Sequence, residues 1–300
     1  MGTGKKTKKN ADGDIKNTQK KRLDITGILL VITLIVAVTA SAVFLVLCRQ
    51  NGKSEDEYGS IQSAYTGNGN SGDNGNAKVD DIKGGGAVKK DRTAAASANV
   101  DSHPIPDAPS VDFKGLKEKG RDIVAWISVP SMGIEYPVVQ TDNNEDYLHT
   151  TAFGSNYYAG SIILEAVNSP AFTDVNTILY GHNMSNGSMF GSLARLQEDV
   201  PDGPVYIWIC TPDAGYLYRV FSEYVTDMHS DAYRMFGTKD TSADAAKWIS
   251  EISGKSKVPF EMPPTYIKRV LTLSTCTSAS DNTRRVVHAV MMKRQVKTSQ

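Results

Sequence analysis

RVLTLSTCTSASDNTRRVVHAVMM, residues Arg269 to Met292, is the stretch on which the reading of this 300-residue chain turns. Two runs rich in Val, Leu and Thr flank a segment of turn composition, the pattern of two paired antiparallel strands. In the first run Leu271 and Leu273 alternate with Thr272, Ser274 and Cys276, so a strand here sends the leucines to a core and the other three to the opposite face. Cys276 falls at the strand end, before the turn-like TSASDNT, which predicts a thiol standing at a rim. The second run opens on Asn282, Thr283, Arg284 and Arg285, and antiparallel pairing brings that opening beside Cys276. Alternation then places Arg284 and Arg285 on opposite faces, so only one of them serves a site at Cys276.

Outward from this pair, strand-like runs recur at Ile123 to Val129, Ile134 to Gln140, Gly160 to Glu165, Asn176 to Tyr180, Val205 to Cys210 and Tyr216 to Val225, making about eight in all. Helical patterns are fewer: Asp112 to Lys119, a short one after Ser188, and Ser242 to Ile252, where Ala245, Ala246, Ile249 and Ile252 share a face. Short crossings favour an antiparallel sheet. The expected fold class is mostly β, a closed or nearly closed β-barrel decorated by peripheral helices. One domain over residues 111–296 is long enough for a core of ordinary size, and no internal repeat interrupts it.

The N-terminal third is different material. Lys and Arg (33) balance Asp and Glu (33) overall, but residues 1–22 hold eight basic residues against Asp12 and Asp14. Nucleic-acid binding has little support. The uncharged run ITGILLVITLIVAVTASAVFLVL, Ile25 to Leu47, follows at once, and about 20 apolar residues suffice to cross a bilayer as a helix. A basic tail before such a run reads as a cytoplasmic flank, so 1–22 is expected inside, 23–48 as one transmembrane helix, and the remainder outside the cell. Cleavage after Ala40-Ser41-Ala42 would leave the greasy Val43 to Leu47 as a new terminus, and Leu47 is a poor neighbour for lipidation at Cys48. Residues 49–110, rich in Gly, Ser, Asn and Asp, predict a flexible, disordered extracellular linker that cannot bury a core.

Three cysteines, Cys48, Cys210 and Cys276, are too few for a disulfide framework in an exported domain. Cys210 ends an apolar run and reads as a small buried hydrophobe. Cys276 alone has a reactive context. Among the five histidines, His103 falls in the linker, His149 reads as packing on a short helix, His229 sits in a polar turn and His288 lies inside the last strand. His182, in NTILYGHNM (Asn176 to Met184), ends a strand-like run behind Gly181, which lets the backbone bend and present the imidazole. An arginine at the start of the last strand, Arg284 or Arg285, with its always-charged planar fork, suits an oxyanion or a substrate carbonyl. No zinc-ligand spacing is present, and neither metal nor cofactor is expected.

TLSTC at Thr272 to Cys276, YGHNM at Tyr180 to Met184 and an arginine shortly after the cysteine resemble a sortase. NGSMFGSL at Asn186 to Leu193 and DYLH at Asp146 to His149 are most similar to class B. The resemblance implies an eight-stranded sortase-like barrel, with Cys276 as nucleophile, His182 as proton-transfer partner and Arg284 as the electrostatic third member, Arg285 standing as its fallback. It further implies that Tyr180 and Ser274 line the groove and that Asn144 and Leu148 contact the bound peptide. Its partners would be sorting-signal-bearing surface proteins and an amine acceptor, either a peptidoglycan precursor or a pilin lysine. The chain departs from the family pattern at Glu165, Ala166 and Val167 and in the loop after Cys276, where peptide specificity would be decided. Two other readings stay open: a tethered, non-catalytic wall-binding module, and a cysteine peptidase that uses water as acceptor.

Overall fold

The computed structural model describes residues 25–67, 104–261, 269–277 and 282–296. The chain divides into two compact units, Met1–Arg49 and Gln50–Gln300. Helix α1 (Ile25–Tyr65) begins in the first, where its described large apolar side chains from Leu29 to Val46 are exposed. Among the described residues no helix is long and apolar enough to cross a membrane. The basic tail and residues 68–103 of the expected linker lie outside the described residues.

The linker expected from residue 49 is corrected in its first part. Residues 50–65 are helical, Tyr58 and Ile61 are buried, and Thr66–Gly67 (β1) pairs with Ser110–Val111 (β2). Tyr58, Ile61 and Tyr65 recur at helical spacing, a stripe that the Gly-rich composition of the longer segment conceals. The Tyr58 ring meets Tyr136 edge-on, with centroids 5.2 Å apart.

Beyond a short helix α2 (Phe113–Lys119), capped by the Asp112 side chain on Gly115 N–H, eight strands close a barrel. They are β3 (Ile123–Val129), β4 (Ile134–Val139), β5 (Ile162–Leu164), β6 (Asn176–Tyr180), β7 (Tyr206–Cys210), β8 (Ala214–Asp227), β9 (Val270–Cys276) and β10 (Thr283–Val296). Around the barrel they run β10, β8, β7, β3, β4, β5, β6, β9, and β9 pairs back onto β10. Eight closed strands are few enough for side chains to fill the interior.

The expectation of an antiparallel sheet is corrected at two pairings. β4 with β5 and β6 with β9 are parallel. A parallel neighbour needs a crossover. Residues 140–161 supply one, and the excursion through β7, β8 and the helices after them supplies the other.

Leu271 and Leu273 of β9 enter the main core with Val287 and Ala289 of β10, as alternation requires. The opposite face is covered too. Val270, Val286 and Val290 pack with Trp248, Ile249 and Ile252 of α4 (Ser242–Gly254), the helix that follows the one-turn α3 (Arg195–Glu198) in the chain. Helix α4 starts on a capping box in which Thr241 and Asp244 satisfy each other's backbone N–H, worth about 1 kcal/mol. Trp248, absent from the expected helical face, is fully buried and donates from Nε1 to Asp231 O at 2.7 Å.

Thr272 is therefore buried rather than open, inside a polar chain with one consistent proton order. Its hydroxyl donates to Asn176 Oδ1 (2.6 Å), so His288 Nδ1–H donates to Thr272 Oγ1 (2.9 Å) and His288 Nε2 accepts from Tyr224 O–H (3.2 Å). Asn176 Nδ2 donates in turn to the carbonyls of Ala232 and Arg234, holding the segment that carries Tyr233. Burial pushes His288 down to about 3, so this imidazole is neutral.

Candidate active site

Cys276 is the last residue of β9 and an exposed free thiol. Its antiparallel partner on β10 is Arg284, and residues directly opposed in such a pair project to one face. On the other side β6 runs parallel to β9 with Tyr180 opposite Ser274, and Gly181 N–H donates to Ser274 O at 3.1 Å. Carrying that register two residues on sets His182 level with Cys276. The positions come from three neighbouring strand ends.

A cavity of about 420 Å³ opens there. All seven residues singled out from the sequence line it: Cys276, His182, Arg284, Tyr180, Ser274, Asn144 and Leu148. The volume falls in the usual range for ligand sites.

Gly181 is needed for a reason other than the one expected. Its backbone takes no positive φ, so no special bend requires a glycine. A Cβ at that position would meet Ile162 Cδ1 at 2.6 Å and Phe190 Cγ at 2.9 Å. Close packing behind the loop, not backbone freedom, demands the missing side chain.

His182 Nε2 lies 2.7 Å from Leu148 O. A carbonyl only accepts, so Nε2 carries the hydrogen, and in the neutral ring Nδ1 is the basic nitrogen. The Leu148 carbonyl is itself held by a tight approach. Gly160 has φ +54°, and a Cβ there would come within 2.2 Å of Leu148 O. Burial pulls the His182 pKa below the ordinary histidine value, with the Leu148 carbonyl opposing and His149 adding to the depression.

His149 does pack, but its partner is His182. The two rings stack at 5.4 Å and 26°, and Tyr158 closes the group at 5.5 Å from His149 and 5.4 Å from His182. No helix carries His149; residues 141–150 are irregular. His229 is exposed on a turn, His288 is buried in the polar chain, and His103 lies outside the described residues.

The two adjacent arginines separate as alternation requires. Arg284 lines the cavity, and its guanidinium donates to Thr283 O at 3.0 Å. Arg285 faces away and ion-pairs with Glu223, a carboxylate with 0% exposure. Burial raises the Glu223 pKa, and Arg285 opposes that rise.

Behind the wall, Glu165 Oε1 accepts from Asn144 Nδ2 (2.9 Å) and Oε2 accepts from Tyr180 O–H (2.7 Å). Tyr180 stacks on Tyr233, whose hydroxyl shares a 2.7 Å hydrogen bond with Ser274 Oγ. Tyr233, Met228, Thr275, Ser161 and Ile163 complete the lining and were not singled out from the sequence. Thr275 was legible within TLSTC. Met228 and Tyr233, the second closing a single 3-10 turn (Asp231–Tyr233), arrive on the passage from β8 to α4, which is too short for a periodic signal. Thr275 Oγ1 is buried without a hydrogen-bond partner among the described residues, and no cluster there could hold a metal ion.

Known proteins of similar sequence and structure fall in one family. A sortase domain profile matches residues 127–292. Sortase B of Listeria monocytogenes is 29% identical over 188 residues, covering 62% of this chain and 74% of that protein. Sortase B of Staphylococcus aureus is 31% identical over 177 residues, covering 58% and 72%. A Staphylococcus aureus sortase B–substrate complex superposes with a TM-score of 0.54 at 29% identity, covering 60% of this chain and 84% of that one.

Proposed function

Because the chain belongs to the sortase family, whose members are cysteine transpeptidases that anchor surface proteins, and most resembles class B, we propose that it cleaves C-terminal sorting signals through a thioester on Cys276 and passes the acyl group to an amine. The observation that carries this reading is the convergence of Cys276, His182 and Arg284 on one cavity at adjacent strand ends. His182 takes the proton of the Cys276 thiol, and the thiolate so formed attacks a backbone carbonyl carbon of the sorting signal; the S–C bond forms and the C–N bond breaks. His182 delivers a proton to the departing amine. An incoming amine, from a peptidoglycan precursor or a pilin lysine, then loses its proton to His182 as it displaces the sulfur. Since Nε2–H is committed to Leu148 O, Nδ1 is the nitrogen through which the proton passes. Arg284, sharing the face of Cys276, stabilises the oxyanion or fixes the peptide carbonyl.

The second part of the proposal is a single uncleaved membrane span over 23–48, with the basic tail cytoplasmic and the barrel outside the cell. An uncharged run behind a basic flank supports it, as do the exposed apolar side chains of Leu29 to Val46 distributed around α1.

The test is incubation of the purified chain with sorting-signal peptides in the presence and absence of hydroxylamine. A thioester adduct on Cys276 and an amine-dependent product are expected. Hydrolysis unaffected by amines would make the chain a cysteine peptidase, and no adduct with any peptide would leave a binding module.

A further inference from the structure

Glu165 does not itself line the cavity, yet both of its carboxylate oxygens are engaged by residues that do. Its backbone is equally anchored. Its N–H donates to Ile178 O (3.0 Å), and its carbonyl accepts from Gln140 Nε2 (3.0 Å) and from Asn168 N–H (2.9 Å). Asn144 is gripped a second time, by Ala166 N–H donating to its Oδ1 at 2.8 Å. One half-buried carboxylate on a fixed backbone thus ties a loop residue, Asn144, to a strand-end residue, Tyr180.

We infer that Glu165 is a positioning residue for substrate binding, which locks Asn144 and Tyr180 into the geometry and polarity in which they meet the peptide. The inference rests on the transpeptidase reading for the identity of the substrate. The polarity follows from counting protons. Tyr180 has given its only hydroxyl proton to Glu165 and can offer the peptide nothing but an oxygen acceptor. Asn144 has one Nδ2–H left after serving Glu165, a donor. The wall therefore presents one acceptor and one donor, the complement of the N–H and C=O of an extended backbone. With Ala at 165 the phenol proton and the amide are released, and both side chains regain rotamers that do not face the groove. With Gln, Oε1 still accepts from Asn144 and Nε2 donates to the Tyr180 oxygen, so position survives.

The experiment compares full-chain Glu165→Ala and Glu165→Gln, together with Asn144→Ala, Tyr180→Phe and their doubles with Glu165→Ala. The probe is a synthetic sorting-signal peptide selected on the wild-type chain, assayed in a neutral form and a lysine-bearing form. Losing two hydrogen bonds to a charged acceptor should raise KM in Glu165→Ala by roughly tenfold to a hundredfold, with kcat changed far less. Glu165→Gln, which keeps the positions but frees the Tyr180 proton, should recover part of that loss. Doubles should lose much less than the product of the singles, because the residues act as one unit. Amide exchange should rise in Glu165→Ala over both 141–148 and 178–182. Additive doubles, or a loss confined to the lysine-bearing peptide, would overturn the inference; the second outcome would make Glu165 a direct ligand of substrate. Should the wild-type chain turn over no peptide, the transpeptidase reading fails by itself. Amide exchange then decides the clamp, since unchanged exchange in both segments refutes it without any turnover.

Discussion

Replacing Arg284 and Arg285 one at a time separates a chemical role from a structural one at neighbouring positions. Arg285→Ala leaves Glu223, with 0% exposure, without its counter-charge. Breaking a buried ion pair from one side costs about 3–5 kcal/mol. For a domain of this size each kcal/mol moves the melting temperature by roughly 2–4 °C, so a fall of about 6–20 °C is expected. The pH dependence has a definite sign. Burial already raises the Glu223 pKa in the folded state, and removing Arg285, which opposes the rise, lifts it further. A carboxylate whose folded pKa is raised favours the fold below its unfolded pKa and loses that contribution as pH climbs through the folded value. The Arg285→Ala deficit should therefore shrink as pH falls toward the usual glutamate range and grow toward neutrality. Adding Glu223→Gln should restore much of the stability. Arg284→Ala, by contrast, should melt near wild type and lose about a hundredfold to a thousandfold in turnover, the usual effect of deleting an oxyanion donor. Arg284→Lys should recover little, because a point charge does not reproduce a planar fork. Thermal melting across pH and transpeptidation well below each melting temperature are the two assays. A normal melt with crippled turnover in Arg285→Ala, alongside near-normal turnover in Arg284→Ala, would show that the active face of β10 had been assigned to the wrong residue.

Cys276→Ala should abolish the thioester adduct in mass spectrometry and all product while Cys210→Ala, altering a buried residue at the end of β7, keeps turnover; product from Cys276→Ala would remove the nucleophile. His149→Gln should raise the His182 pKa, since the neighbouring ring adds to its depression, and NMR titration of the His182 ring would contradict this by a fixed or lowered midpoint. The pH range over which His182 is protonated, and with it the acid-dependent limb of the rate profile, should move upward in the same variant. His288, with its folded pKa depressed to about 3 from the usual 6.5, favours the fold above pH 6.5 and should cost up to about 1.4 kcal/mol per pH unit as pH falls below that. Urea melts of His288→Gln should lack that slope; an equal slope in variant and wild type would mean His288 charges without penalty. N-terminal sequencing of the mature protein should return the uncleaved chain, and a start at Val43 or Cys48 would refute the span.

What the sequence made legible and what it hid divide along physical lines. Every barrel strand was readable because each carries its own local pattern, and the strand-end positions of Cys276 and His182 were readable from the turn residues beside them, while local pattern left Arg284 and Arg285 equal and only the family resemblance chose between them. Local pattern does not reveal what covers a second face. Alternation places Thr272 on the face opposite the leucines, and only the packing of α4 explains why that face is buried and Thr272 bonded to Asn176 and His288. Nor does it reveal partners brought in by connecting segments, such as the His182 ring on which His149 stacks or Tyr233 on the cavity wall. Residues 50–65 failed for the opposite reason. A short apolar stripe was averaged away inside a Gly-rich segment, although Tyr58 O–H reaches Gly160 O at 2.5 Å.

The misjudged pairing direction matters most, because the site depends on it. β9 is a seven-residue strand, roughly 20 Å from end to end. Had β6 lain antiparallel to it, the residue after β6 would sit beside Val270, and His182 would be a full strand length from Cys276. Parallel pairing, with Asn176 opposite Val270 and Tyr180 opposite Ser274, brings the C-terminal ends of both strands to one rim. β10 then starts at that rim because it is antiparallel to β9, which delivers Arg284 opposite Cys276. One parallel and one antiparallel neighbour are both needed: the first lets His182 follow its strand to the Cys276 end, and the second lets Arg284 precede its own. The excursion between Tyr180 and Val270 contains the crossover that this arrangement requires, since a parallel neighbour cannot be reached by a hairpin. A shortened β6 to β9 connection that forced antiparallel pairing should accordingly keep strands and lose the site.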